Sequence, residues 1–204
     1  MRSSEAKSSD SALHKLVAQE ANVNLPNLLT VARILLIPVF VVLFSVPTPT
    51  RSLAAALVFV IAAVTDLLDG YLARRRSQVT KLGRLLDPIA DKLLVLSGLI
   101  LLVQFQRVAA LVAILIIARE VAITGIRGIA ASEGIIMSAE TTGKYKMTAQ
   151  VVAIVLLILE DSLLLPLNLH VLGTALLYTA LALGLVSGWR YVLQFSKQVA
   201  ERGL

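Results

Sequence analysis

Six long apolar stretches separated by short polar breaks limit what this chain is able to become. They fall at about 28–46, 52–74, 83–103, 108–130, 144–160 and 168–192, and each approaches the roughly 20 residues that a helix needs to cross a bilayer core. The breaks, at 47–51, 74–81, 104–107, 132–143 and 160–168, are short enough for neighbouring helices to pack antiparallel. Hydrophobic residues make up 57% of the 204 and charged ones 16%, with mean hydropathy +0.84. That balance argues against an autonomous soluble enzyme. The expected fold is therefore all-α, a polytopic membrane protein with six transmembrane helices occupying residues 25–204.

Residues 1–24 read differently. They are polar and mixed in charge, carry no signal-peptide core, and form an expected cytosolic segment; Leu13, Leu16 and Val17 share one side of a helix, compatible with a short interfacial one. Basic residues then set the orientation. With the N-terminus cytosolic, that side collects Arg2, Lys7, Lys15, Arg74, Arg75, Arg76, Lys81, Arg84, Lys144, Lys146, Arg190, Lys197 and Arg202, and the other side holds only Arg51 and Arg107. The rule that positive residues stay inside places both termini in the cytosol. The net charge of +6 becomes a collar facing anionic lipid headgroups. Nucleic acid is not an expected partner, because the cations are scattered over the loops between spans.

The absence of cysteine removes thiolate metal sites and cysteine nucleophiles, and the two histidines, His14 and His170, are far apart in the chain. A metal would be held by oxygen, which suits a hard cation such as magnesium. Candidate oxygens stand where carboxylates are costly. Asp66 and Asp69 end the second stretch, before Gly70, Ala73 and Arg74; Asp87 and Asp91 follow Gly83 at the start of the third. All four lie roughly 5 to 12 Å inside the cytosolic ends of antiparallel helices, and spacings of three and four put each pair on one helical face. Two facing pairs make an oxygen cage for one or two magnesium ions. Gly70, Gly83 and Ala73 leave room for a bulky ligand against the backbone, and Arg74 is placed to grip a phosphate. Helix capping, or pairing with residues 74–76, explains any one of these aspartates more easily than all four. A cation or proton relay is the rival from another class, although the acids sit near one surface and no deeper span carries matching ones.

The run Asp66-x-x-Asp69-Gly70-x-x-Ala73-Arg74, eight residues, Gly83, three residues, Asp87, three residues, Asp91 resembles the signature of the CDP-alcohol phosphatidyltransferases. The resemblance implies a six-helix core, a homodimer, and transfer of a phosphatidyl group from CDP-diacylglycerol to an alcohol with release of CMP. It implies Asp66, Asp69, Asp87 and Asp91 as ligands of magnesium, or of manganese in its place, with Asp91 also the general base. Asp69, Gly70, Ala73, Arg74 and Gly83 would border the CDP-diacylglycerol. The aspartate-rich prenyltransferases also bind diphosphates through magnesium, but they show two separated acidic motifs and this chain shows one.

The acceptor is read from charges in apolar surroundings. Arg119 and Glu120 interrupt the fourth stretch, Arg127 follows two turns later, Lys144 and Lys146 open the fifth, and Arg33 lies in the first. A buried ion pair accounts for Arg119 with Glu120, and ordinary headgroup-reaching side chains account for Arg33 and Lys146. The functional reading is an anion pocket suited to an acceptor with its own phosphate, favouring glycerol 3-phosphate or inositol phosphate over neutral alcohols. The runs Leu25-Pro26-Asn27-Leu28-Leu29-Thr30 with Arg33 and Pro38, Ala118-Arg119-Glu120 with Arg127, and Gly143-Lys144-x-Lys146-x-Thr148-Ala149-Gln150 resemble the bacterial, inner-membrane members of the family that use glycerol 3-phosphate. That resemblance implies Arg119 and Lys144, joined by Arg127 and Lys146, as ligands of the acceptor phosphate. The sixth stretch reads as merely apolar.

Overall fold

The computed structural model describes residues 25–76, 81–133, 141–160 and 168–202. Every regular element among the described residues is an α-helix: α1 (Leu25–Phe44), α2 (Pro49–Arg76), α3 (Lys81–Gln104), α4 (Ala110–Ser132), α5 (Thr141–Ile158) and α6 (Leu169–Arg202). The all-α expectation holds, and each apolar stretch becomes one helix. Helix ends differ from the apolar boundaries by three residues or fewer, except that α6 runs ten residues past 192. Hydropathy falls there, but Lys197, Gln198 and Glu201 are good helix formers. Residues 1–24, including the candidate interfacial helix, lie outside the described part.

Among the described residues, Leu169–Ala200 is the one stretch long and apolar enough to cross a membrane, whereas Thr30–Phe44, Pro49–Thr65, Lys92–Gln104 and Tyr145–Ile158 are apolar but shorter. The six expected spans are met as six helices, one of which meets that criterion among the described residues. Large apolar side chains nevertheless cover the outside: Leu35, Val42, Leu57, Ile100, Leu111, Val121, Val171 and Trp189 are exposed.

Caps explain several boundaries. Thr48 opens α2 by accepting from Arg51 N–H at 3.3 Å through its hydroxyl, with Pro49 in the first helical position, where its missing N–H costs nothing. Asn168 opens α6 in the same way, its Oδ1 accepting from Val171 N–H at 3.2 Å. α3 closes on a Schellman turn: Arg107 N–H donates to Leu102 O at 2.8 Å and Gln106 N–H to Val103 O at 3.0 Å, with Gln106 at a left-handed φ of 59°.

The buried faces repeat at helical spacing. On α2 they are Ser52, Ala55, Ala56, Phe59 and Ala62, and on α6 Gly173, Leu177, Ala180, Gly184, Ser187, Gly188 and Tyr191. At the centre, the ring of Phe59 lies 5.3 Å from that of Phe40 on α1. It also lies so close to Gly98 on α3 that an added Cβ would meet its Cε2 at 3.1 Å, and Ile154 Cγ2 of α5 at the same distance. Glycine there lets three helices converge. Phe59 stands seventeen residues before the end of α2 and Gly98 seventeen after the start of α3, which is the register of an antiparallel pair.

Away from this centre a second knot ties the other helix ends. Arg107 is buried, 6% exposed, and donates from Nη1 to the carbonyls of Leu157 at 2.8 Å and Ile158 at 3.0 Å. These carbonyls close α5 and have no partner within the helix. The Nε of Arg107 pairs with Glu160 Oε1 at 3.0 Å, His170 Nδ1 lies 2.6 Å from Glu160 Oε2, and the guanidinium sits 5.3 Å from the Phe44 ring centroid. Arg107 thereby joins α1, α5 and the turn between α3 and α4, and Glu160 extends the knot to α6.

Candidate active site

The register of α1, α2 and α3 brings three charged positions to one level. Counting seven residues from the Phe40, Phe59 and Gly98 contact toward the same end of the bundle reaches Arg33 on α1, Asp66 on α2 and Asp91 on α3, about 10 Å along each axis. Asp69 and Asp87 follow about one turn further out. The helices thus carry both aspartate pairs at matching depth. The side chains of Asp66, Asp69, Gly70, Ala73, Arg74, Gly83, Asp87, Asp91 and Lys144 lie outside the described residues. Among the described residues no group of three or more His, Cys, Asp or Glu is placed to hold a metal. Arg33 is 0% exposed, so it is a core residue at the level of the aspartates. The headgroup-reaching reading of Arg33 is corrected.

Beside that level a cavity of about 310 Å³ opens between α3, α4, α5 and α6. From α3 it is lined by Lys92, Val95, Leu96 and Leu99, a single helical face that leads back to position 91, one turn before Val95. From α4 come Arg119, Glu120, Thr124 and Arg127, from α5 Lys146 and Gln150, and from α6 Ser187 and Tyr191. Among the described residues four cations and one carboxylate line it, an excess of three positive charges in a largely apolar enclosure. Such a lining attracts a small anion bearing more than one negative charge.

Three of the cations are held in place. Glu120 Oε1 accepts from Arg119 Nη1 at 3.0 Å and from Lys146 Nζ, so one carboxylate oxygen gathers a cation from α4 and another from α5. Arg119 also donates from Nε to Gly184 O at 2.9 Å. Arg127 donates from Nε to Tyr191 Oη at 3.1 Å, with its guanidinium 4.9 Å from the tyrosine ring centroid. α6 admits these long side chains by withholding its own. A Cβ at Gly184 would touch Lys146 Cδ at 3.4 Å, and one at Gly188 would touch Arg119 Nε at 3.4 Å.

Of the expected acceptor residues, Arg119, Arg127 and Lys146 come together in one cavity. Lys146 is 6% exposed and ion-paired, which corrects its reading as a headgroup-reaching flank residue. The Arg119–Glu120 pair exists, and it forms part of the cavity wall. Lys92, Ser187 and Tyr191 were not singled out from the sequence, and Gln150 was named only within the run that opens the fifth stretch. For Ser187 and Tyr191 the one signal was the Gly184-x-x-Ser187-Gly188-x-x-Tyr191 spacing, which marks a polar face on a helix read as merely apolar.

An all-helical bundle with paired aspartates at one level and a cationic cavity beside them defines a helical protein built to handle anionic groups. A family model described as CDP-alcohol phosphatidyltransferase matches residues 23–186. The chain is 43% identical over 188 residues to the CDP-diacylglycerol–glycerol-3-phosphate 3-phosphatidyltransferase of Bacillus subtilis (strain 168), covering 85% of this chain and 94% of that one. Proteins of the same name from Rickettsia bellii (strain RML369-C) and Shigella flexneri serotype 5b (strain 8401) are 38% identical over 168 residues and 40% over 173, with 82% and 83% of this chain and 93% of each relative covered. This chain belongs to the CDP-alcohol phosphatidyltransferase family.

Proposed function

We propose that the protein transfers the phosphatidyl group of CDP-diacylglycerol to glycerol 3-phosphate, yielding phosphatidylglycerophosphate and CMP. The observation that carries this reading is the cavity beside position 91, where Arg119, Arg127 and Lys146 converge. A neutral alcohol would leave so many cations without a counter-charge, whereas an acceptor bearing a phosphate supplies one. The names carried by its relatives point to the same acceptor.

The four aspartates form an all-oxygen donor set at matching helix depth, which fits magnesium or manganese. Asp66, Asp69, Asp87 and Asp91 would hold the ion, which when bound neutralises charge on the diphosphate. Asp69, Gly70, Ala73, Arg74 and Gly83 border the CDP-diacylglycerol headgroup, and Arg119, Arg127, Lys144 and Lys146 fix the acceptor phosphate. The terminal hydroxyl of the acceptor attacks the phosphatidyl phosphorus, its proton passes to the Asp91 carboxylate, and the bond to the CMP oxygen breaks in line. The helices cross a bacterial inner membrane six times with both termini and the site in the cytosol, in a homodimer; the apolar exteriors of α1 to α6 and the one-sided basic residues support this placement.

The test is CMP release from CDP-diacylglycerol by the purified protein with magnesium, offering glycerol 3-phosphate, inositol phosphate, inositol or serine. Release that depends on glycerol 3-phosphate and vanishes in Asp66→Asn is the expected result. Release with inositol phosphate in its place would overturn the acceptor and keep the reaction class.

A further inference from the structure

We infer that Lys92 is a fourth ligand of the acceptor's phosphate, supplied from a third helix beside those that carry the other three; this rests on the cavity being the acceptor site. Arg119, Arg127 and Lys146 come from α4 and α5, and each is already engaged, by Glu120 and Gly184, by Tyr191 and by Glu120 respectively. Lys92 comes from α3, is half-buried in the cavity lining, and among the described residues has no hydrogen-bond or ion-pair partner. A cation drawn partly out of water with no counter-charge costs free energy that an arriving anion recovers.

Position matters as much as charge. Lys92 directly follows Asp91 on α3 and shares the face of Val95, Leu96 and Leu99 that lines the cavity. A phosphate held by Lys92 together with the α4 and α5 cations is clasped by three helices. That clasp fixes the distance from the phosphate to position 91, and so fixes which hydroxyl of the acceptor reaches the base. Glycerol 3-phosphate places its terminal hydroxyl three carbons from the phosphate ester, a span this three-helix grip would select. Lys92 is thus a binding residue with a consequence for specificity, and the sequence hides it behind the aspartate motif it adjoins.

The test compares Lys92→Gln and Lys92→Arg with the unmodified protein in two measurements on detergent-purified, monodisperse samples. In CMP release, Lys92→Gln should raise KM for glycerol 3-phosphate roughly tenfold or more, as loss of a charge-assisted hydrogen bond does. KM for CDP-diacylglycerol and the magnesium concentration for half-activity should stay within about twofold, and Lys92→Arg should recover most of the loss. In equilibrium dialysis without CDP-diacylglycerol, inorganic phosphate should bind the unmodified protein and bind Lys92→Gln at least about tenfold more weakly. An unchanged KM for glycerol 3-phosphate, or a shift confined to CDP-diacylglycerol or magnesium, would overturn the assignment. Absence of glycerol 3-phosphate-dependent release in the unmodified protein would sink the acceptor reading alone. Phosphate binding would then still decide Lys92, and equal binding by the unmodified protein and Lys92→Gln would reject it.

Discussion

Among the described residues Glu120 carries the one negative charge in the cavity wall, and its geometry gives it a use. Its Oε1 accepts from both Arg119 and Lys146, so two side chains from different helices share one anchor point. Both are long and flexible, and the shared carboxylate removes rotamer freedom that a ligand would otherwise have to quench. Glu120→Gln keeps the shape, removes the charge and supplies a weaker acceptor. We expect KM for glycerol 3-phosphate to rise about tenfold, or roughly 1.4 kcal/mol, with KM for CDP-diacylglycerol unchanged. Kinetics with each substrate varied in turn would check it. A fall in the KM for glycerol 3-phosphate would show that the carboxylate competes with the incoming phosphate.

At the scale of elements, the closest packing lies between α5 and α6. A Cβ at Gly173 would meet Leu157 Cγ at 2.8 Å and the backbone oxygen of Ala153 at 3.2 Å. Leu157 has some freedom to yield, whereas the carbonyl belongs to a helix and has little. Gly173→Ala gains about 1 kcal/mol of helix propensity but overpacks the interface by about 1 to 3 kcal/mol. The net expectation is a lower midpoint of thermal unfolding in detergent, and a raised midpoint would show that the two helices separate freely. Elements were also what the sequence disclosed best. Apolar length located every helix, and the structure adds caps at two starts, Thr48 and Asn168. The end of α6 escaped, because apolar length reports burial or a lipid contact while a helix persists on propensity alone.

Across the whole molecule the two ends of the bundle are built differently. One end holds the cavity and the aspartate positions; the other is closed by Arg107, about 17 Å away along α5 as Lys146 and Leu157 mark it. Arg107→Gln removes the Glu160 pair and uncaps Leu157 and Ile158, a loss on the order of 3 kcal/mol for one partner of a buried network. Stability should fall in a thermal melt while KM for both substrates holds, and a change in KM would show that the two ends are coupled. From sequence, Arg107 was only a loop cation on the less basic side. Its burial depends on carbonyls fifty residues away, which no local pattern announces. The cavity was partly legible for a similar reason: Arg119, Arg127 and Lys146 stood out as charges in apolar runs, whereas Tyr191 and Ser187 sit among residues that a buried or lipid-facing helix accepts without comment.

The small residues on α6 carry one more consequence, for how this chain tolerates variation. Gly184 and Gly188 leave space that Lys146 and Arg119 fill, and Ser187 and Tyr191 lie on the same buried face, whereas Leu185, Val186, Trp189 and Val192 point outward. In a saturation library of this helix selected for activity, the outward positions should accept most apolar residues and few polar ones. Positions 184 and 188 should accept alanine, which reaches ordinary contact, and reject leucine, which would evict a cation. The tolerated alphabet would therefore alternate with a period near 3.6 between chemical class on one side and sheer volume on the other.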